Sequence, residues 1–243
     1  MHDNQTIIII PARMGSTRLP NKPLAEINGS PMIAHVVKRA QESQQGDVLV
    51  ACDHIDIKIA AEKAGAQAVL TDPDLPSGSD RIWQALKMQG NKYDVIVNMQ
   101  GDEPLLDPNY LKRVVDLMAQ TPADIGTLVA PVQTKEDIQN PNVVKAVLSA
   151  GANDTIARAL YFSRQPVPHN AHTYYHHIGL YAYRYEALKK FVSCQPSPLE
   201  KQESLEQLRA LENGMTLYAA VVDKAPKGVD TLEDLEKTRK ILT

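Results

Sequence analysis

The chain has 243 residues, of which 43% are hydrophobic and 23% are charged, and its formal net charge is −3. These values predict an ordinary globular protein and exclude a disordered one. The slight acidic excess argues against nucleic acid or an anionic membrane as a partner, because proteins that bind them usually carry a basic excess. A site for a polyanion must therefore be built from a few basic residues in one cleft.

The two cysteines, Cys52 and Cys194, lie far apart, and Cys52 follows an apolar run. We therefore expect reduced thiols rather than a disulfide. The first residues, MHDNQTIIIIPAR, have no basic n-region, and their apolar run is four residues long. This pattern is typical neither of a signal peptide nor of a membrane span, so we expect a cytoplasmic protein.

Short apolar runs alternate with helical patterns through the first half of the chain. The predicted strands are Thr6–Pro11, Asp47–Cys52, Ala66–Leu70 and Asp94–Met99. The predicted helices are Met32–Glu42, Ile55–Ala64, Arg81–Met88 and Pro108–Gln120. Strands that alternate with helices form right-handed βαβ units. The fold class is therefore α/β and Rossmann-like, with a mostly parallel mixed sheet flanked by helices.

The second half of the chain has a more mixed pattern. Its predicted strands are Ile125–Val132, Val143–Leu148, His176–Arg184 and Leu217–Val222. A capping box that begins at Ser197, with proline at the first helical position, predicts a helix to about Glu212. A closing helix is predicted over Thr231–Leu242. We expect a single domain over residues 1–243, with an inserted or appended sub-region around 141–184.

A basic loop follows the first predicted strand. No acidic residue occurs from Asn4 through Ala25, and three basic residues lie within ten positions of one another: Arg13, Arg18 and Lys22. Small residues at Gly15 and Ser16 leave backbone N–H groups open to phosphate oxygens. The pattern is neither a Walker A loop nor GxGxxG. It predicts a phosphate-binding loop, and the alternative is a solvated loop whose cations pair with nearby acids.

The acidic segment Gln100–Pro104 follows the fourth predicted strand. Ligands of open α/β sheets bind outside the carboxyl ends of the strands, so this segment and the basic loop are expected at one edge. A triphosphate needs cations, and its Mg²⁺ needs carboxylates. Asp102 is therefore a candidate ligand, although Asp102 and Glu103 could instead cap the helix that begins near Pro108 or turn the chain. Asp230 is a second candidate, but its local pattern favours a helix N-cap, as does that of Thr231.

Four histidines cluster in HNAHTYYHH: His169, His172, His176 and His177. Their spacing fits no standard zinc signature, and no cysteine lies near them. Contact with an anionic substrate, or a surface cluster, is the better interpretation. No Ser-His-Asp triad is recognisable.

Seven blocks that span nearly the whole chain occur in the order of one family. They are PARMGSTRLPNKPL (Pro11–Leu24), SGSDR (Ser77–Arg81), NMQGDEP (Asn98–Pro104), ALYFSR (Ala159–Arg164), HHIGLYAYR (His176–Arg184), QPSPLEKQESLEQLR (Gln195–Arg209) and GVDTLEDL (Gly228–Leu235). In these blocks the chain resembles the 3-deoxy-manno-octulosonate cytidylyltransferase family, whose acid sugar is abbreviated Kdo.

The resemblance implies a nucleotide-diphospho-sugar transferase fold, a homodimer and dependence on Mg²⁺. It implies that CTP and Kdo give CMP-Kdo and pyrophosphate, a reaction that serves lipopolysaccharide synthesis. It also implies that the sub-region around 141–184 contributes to the sugar pocket and to dimer contacts.

The same resemblance implies roles for individual residues. The implied nucleotide contacts are Ala12, Arg13, Lys22, Ser77, Gly78, Gln100 and Asp102. The implied Mg²⁺ ligands are Asp102 and Asp230, which form the catalytic set together with Arg13 and Lys22. The implied sugar contacts are Arg164, His177, Tyr181, Glu206 and Gln207, and Arg164 is expected to pair with the sugar carboxylate.

Two departures from the family pattern leave alternatives open. Ser79 and Asp80 replace the threonine and glutamate of some members, which is a conservative change. The connection Gln165–Tyr175 is shorter and rich in histidine, so an 8-amino analogue of Kdo is an alternative substrate, and a sialic acid is another. A non-catalytic nucleotide-binding module would need the basic loop but not the pair Asp102 and Asp230.

Overall fold

A computed structural model describes residues 5–15, 18–90, 93–149 and 154–242. The chain divides into two compact units. The first contains residues 1–112 and 226–243, and the second contains residues 113–225. The sub-region around 141–184 lies wholly within the second unit.

The first unit is built on four parallel strands. Its strands are β1 (Thr6–Ala12), β2 (Glu26–Ile27), β3 (Ser30–Pro31), β4 (Asp47–Cys52), β5 (Gln67–Leu70) and β6 (Val95–Asn98). Its helices are a 3-10 turn (Lys22–Leu24), α1 (Met32–Glu42), α2 (Ile55–Lys63), α3 (Gly78–Met88) and α9 (Leu232–Ile241). The parallel sheet has the order β5-β4-β1-β6, and β2 and β3 form a separate two-residue hairpin.

The central strand β1 is the most apolar part of this sheet. Ile7 through Ile10 are at most 1% exposed, because the strand has a partner on each side and helices on its faces. A parallel strand that is covered on both faces is a continuous apolar run, as this sequence has. The amphipathic helix α1 buries five side chains against the unit: Met32, Ile33, Val36, Val37 and Ala40.

The second unit contains a mixed five-stranded sheet. Its strands are β7 (Ile125–Pro131), β8 (Lys145–Ser149), β9 (Ile156–Ser163), β10 (Tyr175–Arg184) and β11 (Leu217–Val221). Its helices are α5 (Lys135–Gln139), α6 (Tyr185–Ser193), α7 (Pro198–Glu203) and α8 (Gln207–Glu212), while α4 (Pro108–Gln120) begins in the first unit and ends in the second. The order is β10-β7-β11-β9-β8, and β8 also pairs with β10 over two residues. Within the described part of this five-stranded sheet, β7 and β11 are parallel neighbours and the other pairs are antiparallel.

The α/β class and the strands and helices expected from the sequence are confirmed, with end points that differ by at most three residues except at one helix. The segment from Ser197 to Glu212 is two helices, not one, because Ser204 has a positive φ of 53° that ends α7. The strand β9, the helices α5 and α6 and the β2–β3 hairpin were not predicted from the sequence. None of the helices in the described ranges is long and apolar enough to cross a membrane.

Both cysteines are free thiols, as expected. Cys52 is fully buried at the end of β4, and burial raises the pKa of its thiol to about 11. It is therefore a protonated core side chain at neutral pH.

Candidate active site

A cavity of about 390 Å³ opens in the first unit, beyond the carboxyl ends of β1 and β6. This is the edge at which ligands bind in open α/β sheets. All the residues expected to bind nucleotide or Mg²⁺ line it: Ala12, Arg13, Lys22, Ser77, Gly78, Gln100, Asp102 and Asp230. The lining also includes Arg18 and Arg81. Residues from four separate stretches of the chain thus converge on one space.

The basic loop is held at its start and at its end. The backbone N–H of Met14 donates to Asp53 Oδ1 at 3.0 Å, and Lys22 begins a 3-10 turn. Arg13 is exposed, and within the described ranges it makes no hydrogen bond or ion pair, so its guanidinium is available to an anion. Ser16, expected to offer a backbone N–H, lies outside the described residues.

The Lys22 ammonium joins the two candidate metal ligands. Lys22 Nζ lies 2.6 Å from Asp102 Oδ2 and 3.0 Å from Asp230 Oδ1, and Arg18 also contacts Asp230 at 3.0 Å. Burial alone would lower the pKa of Lys22, but the charge and hydrogen bond of Asp102, together with Asp230, outweigh it and raise the pKa. Lys22 is therefore cationic, and one positive charge stands between two carboxylates.

Asp102 reaches the cavity because the turn after β6 packs tightly on β1. A Cβ atom at Gly101 would lie 2.8 Å from the carbonyl oxygen of Pro11, so only glycine fits there. The Asp102 carbonyl accepts from the N–H of Val229 at 2.9 Å. The helix-capping alternative is wrong for Asp102, since Asp107 accepts from the N–H of Asn109 at the start of α4.

The capping alternative for Asp230 is also resolved. Thr231 is the N-cap of α9, and it forms a capping box with Asp234. The side chain of Asp230 instead contacts Lys22 and Arg18. Thr231 therefore caps the helix, whereas Asp230 faces the cavity.

The donor set at this point suits Mg²⁺. No group of three or more histidine, cysteine or acidic side chains that could hold a metal is found among the described residues. Mg²⁺ usually takes one or two carboxylates and completes its shell with water and substrate phosphates. Asp102 and Asp230 provide two oxygen ligands that already converge on one cation, the ammonium of Lys22.

The remaining lining residues differ in how free their side chains are. The hydroxyl of Ser77 caps α3 by accepting from the Asp80 N–H, and it also donates to the Asp80 carboxylate. Arg81 was not foreseen as a site residue. It is 3% exposed and donates to Thr71 Oγ1 and to the carbonyl of Asp72. In the sequence, Arg81 is marked by its place at the end of the SGSDR block and one turn into a capped helix.

Glu103, next to Asp102, has an unusual environment. Its Oε2 is buried and has no hydrogen-bond partner in the described part of the chain. Burial, and secondarily the charge of Asp102, raises the pKa of Glu103 to about 8. The neutral acid is therefore its main form at pH 7, which limits the negative charge beside the cavity.

The five residues expected to contact the sugar all lie in the second unit. The rings of His177 and Tyr181 are in contact, with centroids 5.4 Å apart. Burial lowers the pKa of His177 to about 3 and raises that of Tyr181 well above its usual value. Both rings are therefore neutral at physiological pH. Of the other three clustered histidines, His169 and His172 are exposed and His176 is half-buried.

Arg164 has structural partners that the sequence did not predict. Its guanidinium donates to three main-chain carbonyls, those of Pro141, Glu203 and Ser204, at 2.7 to 3.1 Å. Its backbone N–H donates to the Glu203 carboxylate. Arg164 therefore ties the end of β9 to the turn after α7, and its pairing with a sugar carboxylate stays a prediction.

Glu206 immediately precedes the short helix α8, and Gln207 is the first residue of that helix. The buried pair between Arg209 and Glu200, with a nitrogen–oxygen distance of 2.5 Å, joins the two helices, and Arg209 also lies 3.7 Å from Glu206. Gln207 is 6% exposed, and its Nε2 has no hydrogen-bond partner among the described residues. An unsatisfied buried amide is rare, and a bound ligand is one reason for it.

Comparison with known proteins agrees with this geometry. Residues 7–217 match the family model described as "Cytidylyltransferase". The chain is 52% identical over 238 residues to the 3-deoxy-manno-octulosonate cytidylyltransferase of Paramagnetospirillum magneticum, covering 97% of each chain. It is 54% identical over 239 residues to that of Rhodospirillum rubrum, covering 97% of this chain and 95% of the relative.

A solved structure gives the same result for the fold. A CMP:2-keto-3-deoxy-manno-octonic acid synthetase in complex with CTP has a TM-score of 0.90 and 36% identity to this chain, with 98% of each chain covered. The nucleotidyltransferase fold implied by the sequence is thus confirmed. The chain belongs to the 3-deoxy-manno-octulosonate cytidylyltransferase family.

Proposed function

We propose that the chain is an enzyme that transfers CMP from CTP to the anomeric 2-hydroxyl of Kdo, giving CMP-Kdo and pyrophosphate for lipopolysaccharide synthesis. The observation that carries this proposal is the convergence of Arg13, Lys22, Asp102 and Asp230 on one cavity at the carboxyl edge of the parallel sheet. Cations for a triphosphate and carboxylates for its metal are present there together.

The chain's residues have separate tasks in this reaction. Asp102 and Asp230 would hold Mg²⁺, which neutralises triphosphate charge when it is bound. Arg13 and Lys22 bind the phosphates and stabilise the charge that grows on the leaving pyrophosphate. Ala12, Ser77, Gly78 and Gln100 bind the rest of the nucleotide. Transfers of this kind depend mainly on positioning and on charge stabilisation, with little covalent work by the protein.

The second unit binds the acid sugar in this proposal. His177 and Tyr181 offer neutral hydrogen-bonding groups, and the unpartnered Nε2 of Gln207 donates to a sugar oxygen. Glu206 accepts from sugar hydroxyls, and Arg164 pairs with the sugar carboxylate through N–H groups that remain after its three backbone bonds. Arg164→Ala is expected to raise the KM for the sugar far more than the KM for CTP, and equal effects would contradict this role.

Pyrophosphate release tests the function directly. The protein is supplied with Mg²⁺, each of four nucleoside triphosphates, and a panel of Kdo, its 8-amino analogue and a sialic acid. We expect rapid release only with CTP and Kdo. Release with the 8-amino analogue or the sialic acid instead would change the substrate but keep the chemistry, and no release from CTP with any of them would overturn the proposal.

The Asp230→Asn variant separates an enzyme from a non-catalytic nucleotide-binding module. An enzyme that holds Mg²⁺ through Asp230 should bind CTP with a Mg²⁺ dependence that the variant weakens. A sensing module would bind CTP through the basic loop, and the variant would leave its Mg²⁺ titration unchanged. Isothermal titration at several Mg²⁺ concentrations provides the comparison. The homodimer and the cytoplasmic location expected from the family remain predictions, and light scattering of the purified protein tests the first.

A further inference from the structure

The strand that carries His177 and Tyr181 contains a wide irregularity. Along the β10–β7 ladder, Ile178 faces Leu128, but the next pair is Tyr181 with Thr127. Two residues of β10, Gly179 and Leu180, are therefore extra relative to β7. Such bulges recur next to active sites, where they redirect side chains.

This bulge brings His177 beside Tyr181. Four residues of regular antiparallel strand span about 13 Å, and two span about 7 Å. His177 faces Val129 and Tyr181 faces Thr127, so the bulge reduces their separation from four ladder positions to two. Because the two extra residues keep the side-chain alternation, both rings stay on one face, and their centroids lie 5.4 Å apart.

Thr127 supports the bulge from the opposite strand. It is completely buried, and its Oγ1 lies 3.0 Å from the carbonyl oxygen of Ile178 and 2.9 Å from that of Leu180. The same Oγ1 lies 3.2 Å from Nε2 of His177. This is the only hydrogen bond of the His177 ring within the described part of the chain.

The positions of the hydrogens follow from counting donors. A hydroxyl has one hydrogen, and carbonyl oxygens can only accept, so the Thr127 hydrogen is directed to Ile178 or Leu180. An Oγ1 that gave its hydrogen to His177 would leave its lone pairs facing two carbonyl oxygens. The favourable arrangement therefore has Nε2–H of His177 donating to Thr127. Because burial lowers the pKa of His177 to about 3, the ring is neutral and its Nδ1 is a bare acceptor.

We propose that Thr127 is a positioning residue, which holds the β10 bulge and fixes His177 as the Nε2–H tautomer so that Nδ1 accepts from a hydroxyl of the acid sugar. The contact between Nδ1 and the sugar hydroxyl rests on the proposed function, whereas the bulge and the tautomer do not. Thr127 itself need not touch the substrate.

Histidine spectra of the substrate-free protein test the tautomer independently of activity. Long-range ¹H–¹⁵N correlations distinguish a protonated ring nitrogen from a bare one, and the signal missing in His177→Gln identifies the residue. We expect a neutral ring with the proton on Nε2 in the wild type and in Thr127→Ser. Thr127→Val, which has the same shape but no hydroxyl, should lose this signature. A proton on Nδ1 in the wild type would overturn the proposal.

Steady-state kinetics test the link to the sugar. Thr127→Val should raise the KM for the acid sugar about tenfold, the usual effect of one lost hydrogen bond, and leave the KM for CTP unchanged. Thr127→Ser, which keeps the hydroxyl, should have the wild-type KM for the acid sugar. The matched control is Thr216→Val, which removes a hydroxyl bonded to Asp124 in the same unit and should change stability but not this KM.

Several outcomes would contradict the proposal. A folded Thr127→Val protein with unchanged His177 spectrum and unchanged KM would do so, as would a sugar KM that Thr216→Val raises equally. If Thr127→Val does not fold, the wild-type tautomer and the Thr127→Ser kinetics still decide the question. A wild type that shows the Nε2–H tautomer but releases no pyrophosphate would refute the proposed function and leave the positioning role of Thr127 intact.

Discussion

Lys22 lies at the centre of the candidate nucleotide site. Its ammonium lies between Asp102 and Asp230, at hydrogen-bonding distance from both. It is only 17% exposed, so the contact is screened less than a surface ion pair would be. An ammonium and a divalent cation that use the same two carboxylates exclude each other. We therefore expect Lys22 to turn to the phosphates only when metal neutralises the carboxylates.

Replacing Lys22 should therefore have two opposite effects. Lys22→Ala is expected to lose about 100-fold or more in turnover, because it removes one group that stabilises the charge on the leaving pyrophosphate. The same variant should bind Mn²⁺ more tightly than the wild type without nucleotide, because the competing ammonium is absent. Electron paramagnetic resonance of free Mn²⁺ measures this directly. Lys189→Ala, which removes an exposed lysine, is the control, and weaker Mn²⁺ binding by Lys22→Ala would contradict the competition.

His177 makes the stability of the protein depend on pH. Its folded pKa is about 3, below the unfolded value of 6.5, so the unfolded state binds the proton first as the pH falls. Stability from this group is complete above pH 6.5 and is lost as the pH falls toward 3. Between about pH 7 and pH 5, the free energy of unfolding of the wild type should fall by about 2 kcal/mol more than that of His177→Gln. Urea unfolding of both proteins at each pH measures the difference, and parallel pH profiles would contradict it.

At the scale of elements, the break between α7 and α8 places Glu206 and Gln207. A single helix from Ser197 to Glu212 would distribute these side chains around one axis. The positive φ of Ser204 ends α7, and the buried pair of Glu200 with Arg209 fixes α8 against it. The guanidinium of Arg209 also lies over the ring of Phe191 at 4.9 Å. The turn itself thus becomes part of the expected sugar site.

Breaking this pair should affect both stability and sugar binding. Arg209→Met leaves the Glu200 carboxylate buried without its partner, which typically costs about 3 kcal/mol. We also expect a higher KM for the acid sugar and an unchanged KM for CTP. Chemical unfolding and kinetics provide the two measurements. Lys189→Met, which breaks an exposed ion pair with Glu186, should change neither, and an Arg209→Met protein of normal stability would contradict the role of the pair.

At the scale of the whole molecule, the end of the chain completes the first unit. Residues 226–243 return to it after the second unit is finished. Val229 and Leu235 join a buried cluster with Leu19, Ile27 and Met32, and Asp230 lies beside them at the cavity. The second candidate metal ligand is therefore held by an apolar cluster formed by the two ends of the sequence.

Loosening this cluster should destabilise the first unit. Leu235 is 3% exposed, and Leu235→Ala is expected to cost about 3 kcal/mol in free energy of unfolding. Leu232, on the same helix, is 61% exposed, and Leu232→Ala should cost little. Denaturant unfolding compares the two variants. If both variants lost the same free energy of unfolding, α9 would be held by something other than its buried face.

The fold class, the elements of the first half and the candidate nucleotide residues could be predicted from the amino-acid sequence alone. Strands such as Ile7–Ile10 and the helix α1 carry strong local periodicity, and a chain that alternates strands and helices has few topologies open to it. Because loops after parallel strands share one edge, even the convergence of Lys22 with Asp102 followed from local pattern.

The remaining features could not be predicted, because they depend on contacts between residues that are distant in sequence. Thr231 and Asp230 are equivalent as N-caps until Lys22 is placed opposite one of them. Thr127 carries no motif, and its role exists only where β10 bulges against β7. Arg164 has the chemistry of a carboxylate ligand in sequence, yet three backbone carbonyls surround it in space. Hydrogen bonds between residues that are far apart in the chain leave no periodic trace in the sequence.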